Sequence, residues 1–96
     1  MVQFDENRLA EFCRRNAIVR LRMFGSMARG EERPDSDIDL LADFGTPVGF
    51  FEVIRAEDDL SEFFGRPVDL LTEPGLSPHI REAILQSAVV IFDGTS

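Results

Sequence analysis

Two rhythms of apolar and polar positions divide the chain, one of period near 3.6 and one of period 2. From Phe4 to Asn16 the apolar residues Leu9, Phe12 and Cys13 recur at helical spacing, and Asp5 is the kind of residue that caps a helix start. "AIVRLRMF" then alternates as a strand, with Ile18, Arg20 and Arg22 on one face and Val19, Leu21 and Met23 on the other. Gly25 breaks that strand, Ser26 can cap a short helix over Met27 to Arg29, and Pro34–Asp35 marks a turn. "SDIDLLADF" reads as a second strand. "GFFEVIRAEDDLSEFF" reads as the longest helix, anchored by Phe51, Ile54, Leu60, Phe63 and Phe64 and stopped at Gly65. "RPVDLLT" is a third strand, Pro78 to Ser87 a helix with proline in its first turn, and "AVVIF" a short final strand. Helices and strands alternate throughout, which predicts an α/β (α+β) domain, one sheet with helices packed on it. Strand order and direction stay open.

No repeat, low-complexity segment or interdomain linker interrupts the pattern, so residues 1–96 are expected to form a single domain. With 44% hydrophobic and 29% charged residues the balance is that of a globular chain. No apolar run approaches the ~20 residues of a membrane span. "MVQFDENRLAEF" does not read as a signal peptide, and a lone Cys13 makes no intrachain disulfide. A cytoplasmic location is the expectation. Cys13 itself reads as a small core residue. The net charge of −8 argues against direct nucleic-acid binding, which needs many cation–phosphate contacts. Absences exclude more: a chain without Lys cannot be a P-loop nucleoside triphosphatase, and one without Tyr cannot be modified on its own tyrosine.

The candidate chemistry lies in "FGSMARGEERPDSDIDLLADF", Phe24 to Phe44. Side chains alternate on a strand, so Asp37 and Asp39 share one face while Ile38, Leu40 and Ala42 point into the core. Neighbouring carboxylates repel unless a cation lies between them, and hard oxygen ligands suit Mg²⁺. Mg²⁺ prefers one or two carboxylates completed by substrate phosphates. The turn at Gly25–Ser26 would supply the phosphate side, because glycine admits close backbone approach and a helix start offers free N–H groups. The joint reading is a metal–triphosphate site.

"GSMARG" followed by "SDIDLL" resembles the signature of the DNA polymerase beta superfamily of nucleotidyltransferases, and within it the minimal nucleotidyltransferases of the MntA type. The resemblance spans nearly the whole chain. It implies a polymerase-beta-like fold, a small mixed β-sheet flanked by helices, and a site for two Mg²⁺ ions. It also implies a third carboxylate on a neighbouring strand, and "RPVDLLT" offers Asp69, with Val68 and Leu70 on the opposite face. Asp69-Leu70-Leu71 repeats Asp39-Leu40-Leu41. On this reading Asp37, Asp39 and Asp69 are the metal ligands and catalytic residues. Asp69 would hold the acceptor-activating ion and receive the attacking hydroxyl's proton. Gly25, Ser26, Arg29 and Ser36 would bind the nucleoside triphosphate, with ATP expected. The resemblance further implies AMP transfer to a hydroxyl on a HEPN-type helical toxin, with this chain as antitoxin.

Other residues have plainer readings. Arg29 can bridge to the acidic strand instead of a phosphate, and Ser36 can order its loop. Asp43 reads as surface charge, His79 as a solvated first-turn residue, and Ala56 to Glu62 as a solvated helix face. Gly49 to Phe51 reads as core, with a nucleotide-pocket edge or a partner surface as alternatives. Two rival functions stay open. One is an antitoxin that neutralises by docking alone. The other is a nucleotidyltransferase acting on an RNA end or a small molecule.

Overall fold

A computed structural model of the protein describes residues 4–25 and 37–94. Helix α1 spans Glu6–Arg15 and strand β1 Ile18–Phe24. Strand β2 spans Ile38–Phe44, helix α2 Phe50–Phe64 and strand β3 Val68–Thr72. A 3₁₀ turn at Glu73–Gly75 leads to helix α3, Pro78–Ser87, and strand β4, Val89–Asp93. The helix ends follow local chemistry. The Asp5 carboxylate accepts from the Asn7 and Arg8 N–H groups at 3.0 and 3.1 Å. Gly65 ends α2 in the left-handed region at φ 70°, where a Cβ would cost energy. Ser77 caps α3, with Pro78 at its first turn.

The four strands lie in the order β3-β2-β1-β4, with β1 antiparallel to β2 and to β4, and β2 parallel to β3. The sheet is therefore mixed. Its parallel pair is joined through α2, since parallel neighbours need a crossover. One face of the sheet carries Leu21, Met23, Ile38, Leu40, Ala42, Val68 and Leu70. These pack with Leu9, Phe12 and Cys13 of α1 and with Ala56 and Leu60 of α2 in one buried cluster. Leu41, which faces the other way, and Ile84 of α3 are also buried but lie outside that cluster.

Ile18 does not share the polar face of Arg20 but is buried with the core. The β1–β2 register shifts between Ile18 and Arg20, and an irregularity there resets the alternation. On α2, Phe51 and Ile54 are not anchors, and Phe50–Phe51 is not core: Phe50 is 74% and Phe51 79% exposed. The inward stripe runs through Val53, Ala56, Leu60, Phe63 and Phe64. At ~100° per residue, Phe51 points away from that stripe on the far side of the helix.

Candidate active site

Because β2 and β3 are parallel, they start at the same edge of the sheet, and antiparallel β1 ends there. Asp39 pairs in register with Asp69 on one side and with Phe24 on the other. Ile38 and Leu40 pair with Val68 and Leu70 and fill the core, so alternation turns Asp39 and Asp69 to the opposite face. Asp37, exposed at the entry to β2, has the same parity. Three carboxylates thus occupy one sheet edge.

Gly25 closes this edge from the β1 side. Its backbone is left-handed, at φ 73°. A Cβ built there would stand 2.5 Å from Asp39 Oδ2. Glycine is favoured both by the left-handed backbone conformation and by the carboxylate beside it.

The electrostatics match the geometry. Burial, followed by the charges of Asp69 and Asp37, pushes the Asp39 carboxyl above its ordinary pKa. The donor set is all oxygen and all carboxylate, which suits a hard divalent cation that would offset this repulsion. Among the described residues, no three His, Cys, Asp or Glu side chains close into a single metal-binding cluster. What the strands bring together is the Asp39–Asp69 pair, with Asp37 adjacent on the same face. Ser26, Arg29 and Ser36 lie outside the described residues.

The solvated-face reading of Ala56 to Glu62 misses two residues. β3 is an edge strand, and its outward N–H groups need acceptors. Glu57 Oε2 accepts from the Leu70 N–H at 2.8 Å, and Ser61 Oγ accepts from the Val68 N–H at 3.0 Å. These two bonds bracket Asp69. The i, i+4 spacing of Glu57 and Ser61, beside buried Ala56 and Leu60, was the available signal.

Asp43 is not a plain surface charge. Arg22 Nη1 donates to Asp43 Oδ2 at 3.1 Å, and Arg20 lies 4.0 Å from the same oxygen. Asp43 also meets Glu73, which Arg81 holds from the other side. Burial, then the Glu73 contact, raises the Asp43 carboxyl, whereas the Arg81 hydrogen bond lowers that of Glu73. Beside this network is an open hollow of about 1040 Å³, lined by Phe44, Phe50, Leu71, Leu76 and Arg81 among others. It sits by the last residues of β2 and β3, at the opposite end of these strands from Asp39 and Asp69. His79 is exposed in the first turn of α3. Burial pushes the Cys13 thiol up to about 12, so it stays an inert core group.

A mixed sheet with paired carboxylates beside a glycine turn is consistent with a nucleotidyl-transferring domain. The nucleotidyltransferase domain model matches residues 6–91, and the chain belongs to that family. A candidate protein adenylyltransferase of Methanocaldococcus jannaschii is 36% identical, covering 81% of this chain and 84% of that protein. Protein adenylyltransferase MntA of Thermococcus cleftensis is 32% identical, covering 84% of this chain and 82% of its own. The solved structure of a candidate minimal nucleotidyltransferase superposes with a TM-score of 0.76 at 39% identity, covering 88% of this chain and 86% of that one. A toxin–antitoxin structure with AMP-PNP shares the fold, with a TM-score of 0.81 at 18% identity, covering 96% of this chain and 76% of that chain. Among the described residues no helix is long and apolar enough to cross a membrane.

Proposed function

We propose that this nucleotidyltransferase moves AMP from ATP to a hydroxyl on a partner protein, a HEPN-type helical toxin, and so acts as its antitoxin. The observation that carries the reading is the in-register Asp39–Asp69 pair with Gly25 against Asp39. Membership of the family and 32–36% identity to protein adenylyltransferases support the choice of a protein acceptor. Asp37 and Asp39 would hold two Mg²⁺ ions, and Asp69 would share the one nearest the acceptor. When bound, the ions supply charge that stabilises the attacking and leaving oxygens. Gly25, Ser26, Arg29 and Ser36 would hold the triphosphate.

The acceptor oxygen bonds to the α-phosphorus, the bond from that phosphorus to the β-bridging oxygen breaks, and pyrophosphate leaves. Asp69 accepts the hydroxyl proton, a general-base role suited to a carboxylate held within reach. Two paired strands and the Gly25 turn support this reading, since a fixed relation between the reacting groups favours the step.

The test is isotope transfer from ATP to the purified HEPN protein with Mg²⁺ present. Label at the α-phosphate should appear on the partner and label at the γ-phosphate should not. Asp39→Asn should abolish transfer. Transfer of γ-label would make the chain a kinase and overturn the reading. Neutralisation of the toxin by an Asp37→Asn, Asp39→Asn chain without any label would establish docking alone.

A further inference from the structure

We infer that the outer face of α2 is a docking surface for a protein partner that presents an apolar recess flanked by basic side chains. The inference rests on the proposed function in taking the acceptor to be a protein, and that protein to be the HEPN-type partner.

Phe51, Ile54, Arg55, Asp58 and Glu62 follow one another at i, +3, +4, +7 and +11, a single stripe along the helix. All five are exposed, and Phe51 at 79% is the most exposed of the large apolar side chains among the described residues. Phe50, 74% exposed, packs edge-on against Phe51 with ring centroids 6.2 Å apart. Two neighbouring phenyl rings in water form the kind of apolar feature that marks an interaction site, and aromatic side chains dominate interface energetics. The inward stripe of α2 already brings Phe63 and Phe64 against the core, so the core does not call on these rings.

Charge selects the occupant. Beyond the apolar end, the exposed residues Asp58, Asp59 and Glu62 make the C-terminal half of the same helix acidic, against one exposed Arg55. At 1.5 Å per residue, Asp58 lies ~10 Å and Glu62 ~16 Å along the axis from Phe51. A second copy of this chain would bring like charges together, on a molecule of net charge −8. A partner surface with Arg or Lys ~10–16 Å from an apolar recess satisfies both halves of the stripe. Because α2 covers the sheet face opposite Asp39 and Asp69, the stripe lies away from the site, which excludes a small-molecule acceptor and suits a macromolecular partner large enough to reach round the sheet.

The test uses the full chain and the purified HEPN protein as probe. Affinity is read by calorimetry, the KM for the acceptor by AMP transfer, and nucleotide binding by the melting shift with Mg²⁺ and ATP. The double variant Phe50→Ala, Phe51→Ala should weaken partner binding and raise the acceptor KM by about 30-fold or more, as expected when aromatic anchors are removed. Its kcat and its melting shift with nucleotide should match the parent. Asp58→Lys, Glu62→Lys should slow association and flatten its salt dependence. Unchanged affinity in the phenylalanine double variant would overturn the inference. So would a parent dimer in light scattering that becomes monomeric in that variant, because the rings would then be a self-interface. A parent chain that binds the HEPN protein without transferring AMP would defeat the catalytic reading. The docking surface would still stand if Phe50→Ala, Phe51→Ala loses that binding.

Discussion

Replacing Gly25 by Ala probes the closest approach at the site. Left-handed backbone costs a residue with a Cβ about 1 kcal/mol or somewhat more. The new methyl would start 2.5 Å from Asp39 Oδ2, where 3.4–4 Å is ordinary contact. Asp39 must swing aside, and leaving a favoured rotamer costs about 0.5–1.5 kcal/mol. Together these predict a loss of about 2 kcal/mol, a drop in Tm of roughly 10 °C for a chain this size. A double-mutant cycle in urea separates the two parts. Asp39→Ala keeps a Cβ, which lies 3.7 Å from the added methyl, but removes the carboxylate. In the Asp39→Ala background, Gly25→Ala should therefore cost only the backbone share. The coupling energy should be ~1 kcal/mol, above the ~0.5 kcal/mol within which independent sites add. Displacing Asp39 should also reduce AMP transfer on the order of 100-fold, since small misplacements at a reacting centre have effects of that size. Additive stabilities, or a Gly25→Ala chain with parental Tm, would refute the proposed contact.

Two further predictions concern the carboxylate edge. A carboxyl raised above its ordinary pKa makes the ionised fold less stable, so stability declines as pH rises through the folded value. Asp39→Asn should then melt above the parent at neutral pH in metal-free buffer, with the gap closing towards about pH 3, where the parent carboxyl is protonated. A variant that melts below the parent at neutral pH would contradict this sign. Glu57→Ala leaves the Leu70 N–H without its acceptor and should cost about 1–3 kcal/mol, with faster hydrogen exchange at Leu70. Glu57→Gln keeps an acceptor oxygen and should cost less. Equal losses would show that the Glu57 charge, and not its hydrogen bond, supports β3.

How far this molecule was legible in its sequence depended on the range of each interaction. Local chemistry determined the elements. Asp5, Gly65 and Pro78 start or end helices within a few residues of themselves, so their roles are readable in place. Strand alternation likewise determined that Asp39 faces away from Ile38 and Leu40, because the period of 2 follows from backbone geometry. The break at Gly25 was visible in the same way. Tertiary structure alone decided that β3 lies parallel to β2 and that Asp69 stands in register with Asp39, since many strand orders are compatible with one hydrophobic pattern. It also decided the fates of Ile18, Phe51 and Asp43. Ile18 is buried through a register shift that depends on its partner strand. Phe51 is as apolar as Phe63, yet only the position of the sheet beneath α2 determines which ring is covered. Asp43 acquires Arg22 from β1 and Glu73 from beyond β3, partners distant in the chain. Backbone periodicity sets which residues share a face. Which face is buried, and which charges meet across it, emerges only when the layers pack.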